Sequence, residues 1–269
     1  MMICDSHAHY GEKELMKAIV DSSPLTKHYL CYQAVQFESM SDYDDYMQKQ
    51  GQNKIAYIPF VFRELSKLEE NRKILDYAKG REHVYPYVLL DEDNVNFVRD
   101  NHQAIVGVKE HFVMHDTALN ERRVAIFADI DKYNLNILLH TRGGNVRVEY
   151  VQSILELFPN IKVHVAHLGR ERPEDVDYIY WLLEQLRPYD NVFFDTSTIR
   201  QTQVLEQAVR IVGRERILYG SDFPFYMDGT GQENIVKAQI DHVLNAELTD
   251  TDRSYILQKN FEWLITKGS

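Results

Sequence analysis

Eight short apolar runs alternating with amphipathic helical stretches along 269 residues predict an α/β fold, a (β/α)8 or TIM barrel. The alternation implies parallel pairing, because parallel neighbours need a crossover of a dozen or more residues, usually a helix. The length suits one ordinary barrel of roughly 250 residues, and no Pro/Gly/Ser-rich linker or internal repeat divides the chain. Residues 1–269 are therefore read as one domain. The runs are continuous in Val, Ile, Leu, Phe and Tyr, the pattern of strands covered on both faces.

In order, the strand-like runs are Met2 to His7, Lys54 to Phe62, Val84 to Leu90, Ala104 to Phe112, Asn136 to Thr141, Lys162 to Leu168, Val192 to Ser197 and Ile217 to Phe223. His28 to Phe37 also has strand-like residues, but Gly11 to Gln52 is assigned as a whole to a helical insertion after the first strand. Helices are expected over Glu64 to Lys79, Leu119 to Tyr133, Val146 to Leu157, Glu174 to Leu186 and Thr202 to Val212, from apolar residues at helical spacing. Pro173 marks one start, Pro159-Asn160 follows one stop and Gly213 closes another. A C-terminal helical tail, Asp250 to Ile265, should pack back on the barrel.

The composition is 44% hydrophobic and 26% charged, with a formal charge of −11. Such a balance argues against a nucleic-acid partner, whose grip rests on Lys and Arg neutralising phosphates. No apolar run approaches the roughly 18 residues of a membrane span, and the start, Met1 followed shortly by Asp5, does not resemble a signal peptide. Cys4 and Cys31 form no disulfide framework, so reduced buried thiols in a cytoplasmic protein are expected. The 17 tyrosines are read as amphipathic packing. With nucleic acid and membrane set aside, a small-molecule partner is expected, and a homodimer is compatible with the sequence.

Chemistry is sought at the C-terminal ends of the strands, where barrel enzymes place it. The first run ends in Asp5-Ser6-His7-Ala8-His9, and strand alternation puts Asp5, His7 and His9 on one face. That pair alone does not decide between a metal site and two exposed loop histidines. Later runs end in His140, His167, Asp195 and Asp222, spaced 27, 28 and 27 residues apart, about one βα unit each. Together they converge on one mouth. His7, His9, His140 and Asp222 form an N3O set suited to zinc, with manganese, iron or cobalt as alternatives.

The ordered set Asp5-Ser6-His7-Ala8-His9, Gly107-Val108-Lys109, His140, Ala166-His167-Leu168-Gly169 and Gly220-Ser221-Asp222-Phe223-Pro224 resembles the amidohydrolase superfamily. The similarity is to the amidohydrolase-related branch that includes aminocarboxymuconate-semialdehyde decarboxylase, related decarboxylases and lactone hydrolases. It implies one divalent ion on His7, His9, His140 and Asp222. His167 would be the histidine that polarises substrate or shuttles a proton, and Asp222 would double as proton acceptor. Binuclear relatives carry a carboxylated lysine on the fourth strand, so a second metal bridged by Lys109 is the alternative to Lys109 as a cation for a substrate carboxylate. Alternation turns Lys109 and His111 inward together and Glu110 outward; the opposite register is the competing reading.

Other candidates are weaker in signal. Arg142-Gly143-Gly144 would offer donors to an anion or form a simple turn. Asp195 would orient His167 or a ligand histidine, as Asp5 would. His111 and His115 divide between substrate binding and solvent. His164, three residues before His167, is read as facing the other way, and His28, His83, His102 and His242 as surface residues. The implied activity is metal-dependent hydrolysis of a lactone, ester or amide, by activated water attacking a small C–O or C–N substrate. The alternative is non-oxidative decarboxylation of a small unsaturated or aromatic carboxylic acid. A barrel that has lost catalysis and only binds is the third reading.

Overall fold

The computed structural model describes residues 2–11, 14, 38–60, 65–111, 119–140, 148–170, 175–225 and 234–266. Eight strands, β1 (Ile3–Tyr10), β2 (Gln52–Pro59), β3 (Val84–Leu89), β4 (Gly107–His111), β5 (Asn136–His140), β6 (Lys162–Val165), β7 (Val192–Asp195) and β8 (Ile217–Leu218), lie in sequence order in one sheet. Each pairs with its neighbour in parallel. The residues after β8 bring the sheet back to β1. The Ser6 amide donates to the Tyr219 carbonyl at 2.9 Å, that of Asp222 to His7 at 2.7 Å and that of His9 to Phe223 at 2.8 Å. The (β/α)8 barrel expected from the alternation is therefore present.

The covering helices are α1 (Met40–Lys49), α2 (Lys67–Ala78), α3 (Phe97–Asn101), α4 (Glu121–Lys132), α5 (Val148–Leu157), α6 (Val176–Leu186), α7 (Thr202–Val212) and α8 (Ile235–Asn245). Helices α3 and α8 fill two stretches where the alternation implies a helix without giving its bounds. Gly213 does end α7, with φ 85°, in the left-handed region that glycine tolerates. Within the insertion, α1 starts at Ser39, whose side chain accepts from the Asp42 amide. The candidate strand 28–37 lies outside the described residues, as does Cys31; Cys4 is a buried free thiol. Among the described residues no helix is long and apolar enough to cross a membrane.

The tail runs as α9 (Asp250–Ser254), a π-helical stretch (Tyr255–Lys259) and α10 (Asn260–Ile265). It closes the end of the barrel where the strands begin. Phe261 and Leu264 join Cys4, Leu138, Phe193 and Leu218 in one apolar cluster. Lys162, at the start of β6, donates to the carbonyls of Leu264 and Thr266 at 3.2 and 2.9 Å. The opposite end, where the strands finish, is left for polar side chains.

Candidate metal centre

Several site residues stand on backbone that L-amino acids avoid. After β6 the chain turns through His167 (φ 58°), Leu168 (φ 50°) and Gly169 (φ 76°); Thr198 (φ 62°) and Asp222 (φ 55°) follow the ends of β7 and β8. Left-handed conformation costs a non-glycine residue roughly 1–2 kcal/mol. A Cβ on Gly169 would meet Leu182 Cδ2 at 2.6 Å, so a larger residue there has to push Leu182 aside on backbone already in the left-handed region. These turns aim side chains from the strand ends into one mouth.

There His7 Nε2 and His9 Nε2 approach the same oxygen, Asp222 Oδ1, at 3.3 and 3.1 Å. All three residues are buried and offer ligand atoms within 4.8 Å of one another. Donors each 2.0–2.2 Å from a shared tetrahedral ion stand roughly 3.3–3.6 Å apart, close to the spacings found. Burial, then the Lys109 ammonium, pushes the His7 ring down to about 4, against the pull of Asp195 and Asp222. The same two causes hold His9 well below the ordinary histidine range. Neutral rings are what coordination requires. The His9 ring stacks on Phe60 at 5.3 Å and meets the edge of Phe225 at 4.8 Å.

Behind the rings, Asp195 is fully buried and accepts from five donors. Oδ2 takes His7 Nδ1 at 2.9 Å and His164 Nε2 at 2.8 Å. Oδ1 takes the His167 amide at 2.9 Å, the Ser197 amide at 3.0 Å and the Ser197 hydroxyl. Burial alone would raise its pKa, but the His7 and His164 rings hold the carboxyl well below the usual range. His7, His167 and Asp195 also lie close enough to form a second ligand group. With both oxygens already taken by N–H and O–H donors, Asp195 serves instead to orient rings. Because His7 donates through Nδ1, its Nε2 keeps a lone pair for a cation.

Asp5 behaves differently from the face-sharing expected of it. The β1–β2 register shifts between Asp5 and Ala8, which breaks uniform alternation. Asp5 Oδ1 instead accepts the amides of His7 at 3.1 Å and Ser221 at 3.0 Å, tying β1 to the segment after β8. Burial raises this carboxyl to about 7.

The two registers considered for β4 are resolved. Lys109 points into the site, its Nζ 3.5 Å from His7 Nε2, and burial lowers it to about 8. Glu110 faces the helices, ion-paired at 2.9 Å with Arg123 of α4 and accepting from Tyr150 of α5 at 2.8 Å. These partners were invisible to strand alternation. Burial still raises Glu110 to about 7.

His140 is partly exposed and belongs to neither ligand group; its Nδ1 stands 3.3 Å from His167 Nε2. His111 pairs with His140 across β4–β5 and stacks on it at 4.0 Å. His167 is buried, with Nδ1 2.7 Å from the Ser197 hydroxyl. Its ring is held down to about 3, first by burial. Arg142 and His115 lie outside the described residues.

Three readings need correction or extension. His164 does not face away: it is buried in the barrel and bonded to Asp195. Its signal was an ionisable residue inside Lys162-Val163-His164-Val165, a strand too buried to carry it without a partner. His242 is buried, not a surface residue. Ser197 and Thr198, beside Asp195 in sequence, were passed over because hydroxyls carry no motif.

Residues 71–260 match the amidohydrolase family model. The chain belongs to the amidohydrolase family. Among solved structures it resembles an amidohydrolase from Burkholderia multivorans with bound zinc (TM-score 0.75, 13% identity, covering 98% of this chain and 99% of that one). It is also similar to a Pseudomonas putida protein assigned as a 2-pyrone-4,6-dicarboxylic acid hydrolase (TM-score 0.72, 16% identity, 98% and 97%). A third neighbour is a dihydroxybenzoic acid decarboxylase from Polaromonas sp. JS666 with manganese and an inhibitor (TM-score 0.69, 15% identity, 98% and 96%). No curated protein matches the sequence.

Proposed function

We propose that this amidohydrolase is a metal-dependent hydrolase of a small lactone, ester or amide. It would hold a divalent ion, zinc first, on His7, His9 and Asp222, with His140 as the fourth donor. The observation that carries this reading is the approach of two neutral imidazoles to one carboxylate oxygen beside a buried ammonium. A bound ion there supplies Lewis acidity, which makes water reactive as a nucleophile near neutral pH. Asp222 is the base that receives a proton at its carboxylate. His167, uncharged near neutrality, can take up a proton at Nε2 and, once charged, hand it on from there. Among the described residues no carboxylate lies within ion-pairing distance of Lys109, so its ammonium is left to receive an anionic group of the substrate.

That unpaired cation also favours the second reading, non-oxidative decarboxylation of an unsaturated or aromatic acid, because a substrate carboxylate is then obligatory. A Lys109 carboxylated on Nζ and bridging a second ion is a variant of either reading. The test is to purify the protein without chelator, count bound metal per chain, and incubate it with panels of lactones, esters and amides and of carboxylated aromatic and dienoic acids. Acid release with one ion per chain is expected. Carbon dioxide release overturns hydrolysis in favour of decarboxylation. Absence of bound metal together with no gain in melting temperature on adding zinc overturns both readings.

A further inference from the structure

The oxygens around His167 Nδ1 are all committed to accepting from it. Ser197 Oγ, at 2.7 Å, has its own proton on the Asp195 carboxylate, which can only accept. Thr198 Oγ1, at 3.3 Å, has its proton on the Ser197 carbonyl at 2.5 Å, which likewise only accepts. The Ser197 carbonyl itself is the third oxygen, at 3.4 Å. Faced with lone pairs from all three, a neutral His167 must carry its proton on Nδ1 and leave Nε2 bare. That bare nitrogen stands 3.3 Å from His140 Nδ1. Two lone pairs would repel at this distance, so His140 Nδ1 must be the N–H that donates. His140 then keeps its own Nε2 free.

We propose that Ser197 and Thr198 are positioning residues that lock His167, and through it His140, as Nδ1–H tautomers, so that His140 presents a bare Nε2 to the metal site. The hydrogen bonds run in one direction, from His140 to His167 to Ser197 to Asp195. The last of these also receives His7 Nδ1. One buried carboxylate thus sets the tautomers of candidate ligands on both sides of the site, one directly and one through two intermediaries. The tautomer assignment stands on hydrogen-bond direction alone; only its consequence for metal binding rests on the metal reading above.

Long-range proton–nitrogen spectra of metal-free protein labelled with 15N-histidine report which nitrogen of each neutral ring is protonated, with peaks assigned from His167→Asn and His140→Ala. Nδ1 protonation of both rings is expected in the wild type. Ser197→Ala should move His167 partly or wholly to the Nε2–H form and weaken zinc binding, measured against a competing chelator, about 10–100-fold. Ser197→Thr, which keeps the hydroxyl, should restore both. Thr198→Val should give the smaller shift, since its oxygen is the more distant. An Nε2–H resonance for either ring in the wild type, which needs no variant to fold, overturns the relay. So does a folded Ser197→Ala protein with unchanged tautomers. Nδ1–H tautomers in a wild type that binds no zinc uphold the relay and sink the metal reading.

Discussion

Replacing Asp195 by asparagine removes the negative charge from the most connected atom pair in the site while keeping its shape. Asn has one acceptor oxygen where Asp has two, so one side of the group must now donate. If the amide nitrogen faces the former Oδ1 partners, it meets the backbone amides of His167 and Ser197, which cannot give up their protons. Two orphaned buried donors at about 1–3 kcal/mol each make that orientation cost about 2–6 kcal/mol. If it faces His7 and His164 instead, both rings can move a proton to the other nitrogen and accept. The amide therefore takes the second orientation, with a stability loss towards the lower end, about 2 kcal/mol. The consequence falls on His7, whose Nε2, 3.3 Å from Asp222, now carries the proton and no longer offers a lone pair. Zinc affinity should fall about 10–100-fold, read by chelator competition alongside urea unfolding of the metal-free protein. Asp195→Asn that binds zinc as tightly as the wild type would refute the assignment of Asp195 as the orienting group.

His140→Ala should abolish metal retention, whereas His167→Asn should keep the metal and lose turnover; elemental analysis and a substrate assay separate the two, and identical behaviour removes the division of roles. Acid should destabilise the metal-free protein partly through His167. Its folded-state value is about 3 against 6.5 unfolded, so its stabilisation is full above pH 6.5 and is lost as pH falls towards 3. Each pH unit is worth about 1.4 kcal/mol, so between pH 6.5 and 4.5 the His167→Asn protein should lose about 2–3 kcal/mol less stability than the wild type in parallel denaturation curves. Glu110→Ala takes one of two carboxylate partners from the buried Arg123, which keeps Glu92 at 2.6 Å, and should cost about 1–3 kcal/mol without changing metal content. Lys109→Met, one residue earlier, should leave stability equal or higher and weaken binding of carboxylated ligands, measured by calorimetry.

The barrel was legible because its signals repeat. Each apolar run followed by an amphipathic stretch restates the same unit, and an error at one boundary does not disturb the others. Most strands stop short of their apolar runs, as at Ile217–Leu218 within Ile217 to Phe223, because residues that leave the ladder for the site are still apolar or small; β1 instead continues past the expected end at His7 to Tyr10. Convergence of His7, His9 and Asp222 followed from their place at strand ends. The supporting layer was harder to see for a physical reason: its members are chosen by partners from distant elements. His164 needs Asp195, and Glu110 needs Arg123 and Tyr150; neither spacing nor alternation records those contacts. Register slippage between Asp5 and Ala8 is similarly set by the partner strand.

The left-handed residues join these layers. His167, Leu168, Thr198 and Asp222 together carry roughly 4–8 kcal/mol of backbone strain, which persists only where the surroundings over-determine it. Here the restraints come from the site itself. The His167 amide is held by Asp195, the Asp222 amide by the His7 carbonyl, and the Phe225 amide closes a turn on the Asp222 carbonyl at 2.7 Å. Each of these bonds links a strained residue to a member of the same mouth or closes its turn. Losing Asp195 or displacing His7 would therefore release strain as well as misalign ligands. Gly220 shows how little room remains: a Cβ there would lie 3.0 Å from His7 Cβ and 3.3 Å from Asp195 Cβ. The backbone is bent to bring the carboxylate and the rings to this spacing, and the same groups hold the bend in place.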